Sequence, residues 1–194
     1  LKEELNYADG SKSIKLYLRN ETEKTLTITT QDEDDNIEEI EFLKFDSNKQ
    51  VIEKILHNEN NKMKEKTLYE YDDSQRIRKR TEYGANETLI VERNFFHDEK
   101  GNLIKQFGVK NKKLLDSVVF QYDEKNRVVE TQIANQYLIK YSYDDENHSQ
   151  TEERFAPNGM LEFQQISFFN EDGLLVEEQI GELTKKYEYT FYQD

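Results

Sequence analysis

Short runs in which aromatic or aliphatic residues alternate with polar ones, each bounded by Asn, Asp or Gly, follow one another along the whole chain. Side chains on a β-strand point to alternate sides, so a period of two predicts strands. The segment Leu68-Tyr69-Glu70-Tyr71-Asp72 recurs as Val119-Phe120-Gln121-Tyr122-Asp123 and as Lys140-Tyr141-Ser142-Tyr143-Asp144. Weaker copies end at Asn20, Asp46, Asp98, Asn170 and Gln193, so the anchors stand about 21–26 residues apart, as in a tandem repeat. One residue before the anchors come Arg19, Phe45, Tyr71, His97, Tyr122, Tyr143, Phe169 and Tyr192. Three before them come Tyr17, Leu43, Tyr69, Phe95, Phe120, Tyr141, Ser167 and Thr190. Offsets of one and three place both columns on one strand face.

Polar turn residues follow each anchor, and an aliphatic residue (Val51, Ile77, Leu103, Val128 or Leu175) then opens the next strand. A second turn closes each unit, at Asp34-Asp35-Asn36, Asn58-Glu59-Asn60-Asn61, Gly84-Ala85-Asn86-Glu87, Lys110-Asn111-Lys112 and Pro157-Asn158-Gly159, with a shorter connection at Ala134-Asn135-Gln136. Each unit therefore reads as a hairpin, and the chain as one continuous antiparallel meander of roughly 15 strands. Ile37 to Phe45 and Val51 to His57 have a helix-compatible composition, but their β-branched and aromatic residues share the phase of the repeat, which favours strand. The predicted class is all-β, with residues 1–12 as an N-terminal edge segment and 13–194 as a single repeat domain. Sheets of more than about ten strands curl because each pair adds twist, so an open barrel, a spiral or a folded-over sheet is expected.

The aromatic columns at Tyr17, Phe45, Tyr69, Tyr71, Phe95, Phe120, Tyr122, Tyr141, Tyr143, Phe169 and Tyr192 form the expected inner face. Glu70, Gln121, Ser142 and Lys44 sit at central positions of the opposite face, which suits solvent. Sorting is imperfect: Phe96, Phe168 and Phe191 fall on the polar side and are candidate contact residues.

Composition narrows the classes. Only 35% of the residues are hydrophobic while 12% are aromatic, too polar for a thick core and too aromatic for disorder. With 27 Lys+Arg against 41 Asp+Glu the formal charge is −14, which argues against nucleic acid or anionic lipid as partner. There is no cysteine, hence no disulfide or thiolate metal site. No apolar run approaches the ~20 residues of a membrane span.

The phrase Tyr-x-Tyr-Asp, followed by a turn and an aliphatic residue, as in Tyr69 to Ile77 and at Tyr141 to Asp144, resembles the YD repeat of RHS-type proteins. Asp98-Glu99-Lys100-Gly101-Asn102-Leu103 shows the turn with its glycine, which is replaced by Lys49, Arg76, Arg127 or His148 in other units. The resemblance covers nearly all of the chain after residue 13. It implies a bacterial, extracytoplasmic β-rich repeat protein, at the cell surface or secreted, without catalytic machinery in the repeats.

The search for chemistry finds little. His57, His97 and His148 occupy different phases of the repeat, and no nucleophile elbow, P-loop, dinucleotide fingerprint or His-Glu-x-x-His is present. Asp32-Glu33-Asp34-Asp35-Asn36 begins like an EF-hand loop, but Ile37 stands where glycine is needed and Leu43 where a bidentate glutamate is needed. The basic run Arg76-Ile77-Arg78-Lys79-Arg80 lies near Tyr69, Tyr71 and Tyr83, yet ion pairing to neighbouring acids is the stronger reading. No cofactor or metal is expected. The expected function is a non-enzymatic binding or scaffold module that presents a curved surface to a protein or glycan partner. The alternatives are a fragment or cap of a larger RHS shell, with edge-strand self-association, or an acidic immunity-type protein that binds a basic toxin.

Overall fold

A computed structural model describes residues 1–7 and 12–191. Sixteen strands follow in order: β1 (Lys2–Asn6), β2 (Lys12–Asn20), β3 (Thr25–Gln31), β4 (Ile37–Phe45), β5 (Val51–Asn58), β6 (Met63–Tyr71), β7 (Ile77–Gly84) and β8 (Leu89–His97). They continue as β9 (Leu103–Lys110), β10 (Lys113–Tyr122), β11 (Val128–Ile133), β12 (Tyr137–Asp144), β13 (Ser149–Phe155), β14 (Leu161–Phe169), β15 (Leu175–Ile180) and β16 (Leu183–Lys186). The strand order in the one sheet is the order in the sequence, as expected of a meander, and among the described residues β1 pairs only with β2 and β16 only with β15. A 3-10 turn at Ala85–Glu87 is the only helical piece among the described residues. The two stretches with helix-compatible composition are β4 and β5, and the N-terminal segment supplies the additional strand β1, paired to β2.

Contacts group the residues into two compact units, one of Leu1–Phe95 with Phe107–Leu115 and one of Phe96–Gln106 with Asp116–Asp194. In the first, Tyr17, Ile28, Glu41 and Leu56 stand opposite one another across β2 to β5, while Leu18, Thr27, Phe42, Ile55 and Lys66 form a row on the other face. In the second, Gln121, Glu130, Lys140, Glu153 and Gln164 make a wholly polar row across β10 to β14. Two residues along the strands, or three on β14 where the register shifts, Val119, Gln132, Leu138, Phe155 and Leu161 make a mostly apolar one.

One face of the second unit thus carries both kinds of row, both faces of the first mix apolar with polar side chains, and no thick core forms. Val91, at 5% exposure, is the one buried hydrophobic among the described residues, and no large side chain is fully enclosed. The sheet holds through its backbone ladders and rows of half-covered side chains, each cross-strand pair contributing about 0.2–1 kcal/mol. Lys44, Glu70, Gln121 and Ser142 are exposed as expected. The basic run is ion-paired: Arg76 to Asp72 (2.8 Å), Arg78 to Glu70 (2.8 Å), Lys79 to Glu92 (2.8 Å) and Arg80 to Glu82 (2.6 Å).

Candidate functional site

The anchor residue builds its turn. Asp72 Oδ1 accepts the N–H groups of Ser74 (2.9 Å) and Arg76 (2.9 Å), while its own N–H donates to the Arg76 carbonyl (2.9 Å) and the Gln75 N–H to its carbonyl (2.9 Å). Asp123 repeats this with Lys125 (2.9 Å) and Arg127 (2.9 Å), Asp46 with Asn48 (2.8 Å) and Gln50 (2.9 Å), and Asn170 with Asp172 (3.1 Å) and Leu174 (2.9 Å). An Asx side chain is needed because it captures the amide two residues on. The backbone N–H bonds, from Arg76 and Arg127 respectively, hold the Asp72 and Asp123 carboxyls below the usual range.

Three residues past these anchors the backbone has positive φ, at Lys49 (64°), Gln75 (63°), Gly101 (95°), Asn126 (61°) and Gly173 (77°). This corrects the expectation for two turns. Gln75 and Asn126, not Arg76 and Arg127, occupy the glycine position. The arginines come one residue later, and each sends its Nε back to the anchor carboxylate at 2.8 Å.

The tyrosine before the anchor has an equally specific task. Tyr71 donates its hydroxyl to the Val51 carbonyl (2.7 Å), Tyr122 to Leu103 (2.8 Å) and Tyr143 to Val128 (2.7 Å). In each case the acceptor is the aliphatic residue that opens the preceding unit's second strand. Pairing of β5 with β6 stops at Glu53 and Leu68, and that of β11 with β12 at Glu130 and Lys140. The carbonyls of Val51 and Val128 lie beyond those last rungs, and the phenols supply the missing donor. Burial pushes the Tyr71, Tyr122 and Tyr143 hydroxyls above their usual pKa.

Phenylalanine fills the same column where the backbone ladder runs to the turn. Thr25 pairs with Lys44 and the Phe45 N–H reaches the Lys24 carbonyl (2.9 Å); Ser149 pairs with Phe168 and the Phe169 N–H reaches His148 (2.9 Å). Those turns place positive φ at Lys24 and His148, four residues past their anchors.

The remaining column residues are half-buried. Tyr17 donates to Glu3 Oε2 (2.6 Å), Tyr69 stands opposite Arg80, Phe120 opposite Thr131 and Tyr141 opposite Glu152, while Phe95 lies in β8. Tyr192 lies outside the described residues. Of the three candidate contact residues, Phe96 is 47% and Phe191 74% exposed, whereas Phe168 is half-buried, opposite Ser149 and Glu177. These residues do not converge on one site.

A patch not expected from the sequence is better shaped. At the turns that join β11 to β12 and β13 to β14, a depression of about 530 Å³ is lined by Tyr137, Leu138, Lys140, Phe155 and Pro157, with the amides of Gln132, Asn135 and Gln136. Lys140 Nζ lies 5.7 Å from the Phe155 ring centre, and the Arg154 guanidinium lies 4.9 Å from Tyr137 and 5.4 Å from Phe163. Such contacts hold the rings in place. Met160 (61% exposed) and Leu161 (46%) follow Pro157 and Gly159 on the same turn and strand. No group of three or more His, Asp or Glu able to hold a metal occurs among the described residues. Nor is any of their helices long and apolar enough to cross a membrane.

No curated protein matches the chain. The family model described as "Uncharacterised protein" matches residues 2–156, well over half of the length, and the chain belongs to that family.

Proposed function

We propose that this chain is a non-enzymatic β-repeat module that presents a sheet face to a protein or glycan partner. One observation carries the reading: Val91 is the only buried hydrophobic among the described residues, while aromatic and aliphatic side chains stand half-covered on both faces. Half-covered rings on a rigid sheet give contact area at small entropic cost, because their rotamers are already restricted by cross-strand neighbours. The resemblance of the unit to the YD repeat supports an extracytoplasmic bacterial setting, at the cell surface or secreted.

The depression beside Phe155 and Gln132 offers one such contact area. The Phe155 ring next to three primary amides suits a saccharide, whose C–H face stacks on an aromatic and whose hydroxyls pair with amides. The apolar row of Val119, Leu138, Phe155 and Leu161 favours the second reading, an apolar protein surface laid across β10 to β14. A glycan panel screened by thermal shift separates them. A hit lost in both Phe155→Ala and Gln132→Ala supports the saccharide. Silence, with a photo-crosslinker at position 161 joining one discrete protein from the native source, supports the protein. Silence in both refutes the assignment.

A further inference from the structure

The strand order of the sheet begins with β1 and ends with β16. Among the described residues β1 pairs only with β2, and β16 only with β15. Each leaves a row of backbone donors and acceptors facing outward, which is a template for another strand. Successive strands alternate in direction, so a strand added beyond β16 in the same alternation runs in the sense of an odd-numbered strand, which β1 is.

Side chains on the two edges are complementary. On one side of β1 stand Leu1, Glu3 and Leu5; on one side of β16 and its continuation stand Leu183, Lys185 and Tyr187. Tyr187 continues the strand, since its N–H donates to the Val176 carbonyl (3.0 Å), and its hydroxyl meets Glu178, the residue opposite Lys185. Each trio reads apolar, charged, apolar, with opposite charges in the middle. Leu183 is 55% and Tyr187 36% exposed, so these apolar members await cover.

We propose that copies of this chain add head to tail, the outer edge of β16 in one copy pairing antiparallel with the outer edge of β1 in the next. The register sets Leu183 opposite Leu5, Lys185 opposite Glu3 and Tyr187 opposite Leu1. On the reverse side Thr184 meets Glu4 and Lys186 meets Lys2, and each lysine keeps its own carboxylate, Lys2 with Glu4 at 2.8 Å and Lys186 with Glu177 at 3.5 Å. The contact is heterologous, because different surfaces of identical chains meet, so copies either close into a ring or grow on as an open array. Strand addition of this kind draws affinity from main-chain hydrogen bonds and specificity from alternate side chains.

Light scattering behind a sizing column tests the idea on the whole chain. The wild type should rise with concentration from the 23.3 kDa of one chain to twice that mass or more, and fall back as salt is added. Lys185→Glu alone and Glu3→Lys alone each place like charges opposite one another and should associate about tenfold more weakly. Mixed together they again present opposite charges at every junction, and the mass should recover. Far-UV circular dichroism confirms that each variant is folded. A wild type that stays at one chain at every concentration overturns the proposal. So does a Lys185→Glu variant that associates as the wild type does.

Discussion

Removing the phenolic oxygens of Tyr71, Tyr122 and Tyr143 leaves the rings in place and takes away one donor each from Val51, Leu103 and Val128. A hydrogen bond of this kind contributes about 1 kcal/mol net. These sites are only part-buried, so water partly replaces the donor and the larger penalty of a sealed, unpaired carbonyl does not apply. With a urea slope of about 2 kcal/mol per molar, each Tyr→Phe change should lower the unfolding midpoint by about 0.5 M. The three share no acceptor, so the triple variant should lose about 3 kcal/mol, or about 1.5 M. The readout is far-UV circular dichroism, since the chain has no tryptophan. Tyr69→Phe and Tyr141→Phe serve as controls, because neither hydroxyl has a hydrogen-bond partner among the described residues; their midpoints should move by less than about 0.25 M. Phe45→Tyr and Phe169→Tyr should gain nothing, because backbone amides already close those rungs. If positions 71, 122 and 143 behave like 69 and 141, the phenols do not complete the ladder and the reasoning fails.

Three other outcomes follow from the turns. Gln75→Gly should stabilise by about 0.5–1 kcal/mol in urea titration, since relief of the left-handed strain exceeds the added chain entropy. Gly173→Ala should destabilise by about 1 kcal/mol through the same strain, because no neighbour within 4 Å would meet the added methyl. In acid, the Asp72 and Asp123 carboxyls have folded-state pKa values below their unfolded ones, so the stability they lend is full above the ordinary aspartate value of about 3.9 and disappears as pH falls through the lowered one. The double variant Asp72→Asn and Asp123→Asn should therefore lose less stability than the wild type between neutrality and pH ~2, measured as urea midpoint against pH.

Strands and turns were legible because their signals are local. Alternation marks the strands, and an Asx residue that captures the amide two positions on marks the turn, so the anchors Asp46, Asp72, Asp123 and Asn170 all nucleate turns where expected. The exact left-handed residue was not legible at Gln75 and Asn126, because hydrogen-bond closure between the first and fifth turn residues selects it, and composition pointed to the arginine beside it. The choice of Tyr or Phe in one column had no visible cause until the extent of backbone pairing was known. The depression beside Phe155 was missed for a related reason: it lies against the shortened connection at Ala134-Asn135-Gln136, and its residues are out of phase with the columns. The period of two assigned faces to side chains, but it does not say whether a second layer covers a face.

That last point is the centre of the account, and the absence of native cysteine makes it directly measurable. Single cysteines at positions 138 to 142 sample both faces of β12 in turn. If both faces are open, thiol labelling rates under native conditions should differ by less than about tenfold between odd and even positions. A face sealed against a second layer would instead react only through opening of the structure, and protection of about a thousandfold or more at every second position would contradict the single-layer sheet on which the proposed function stands.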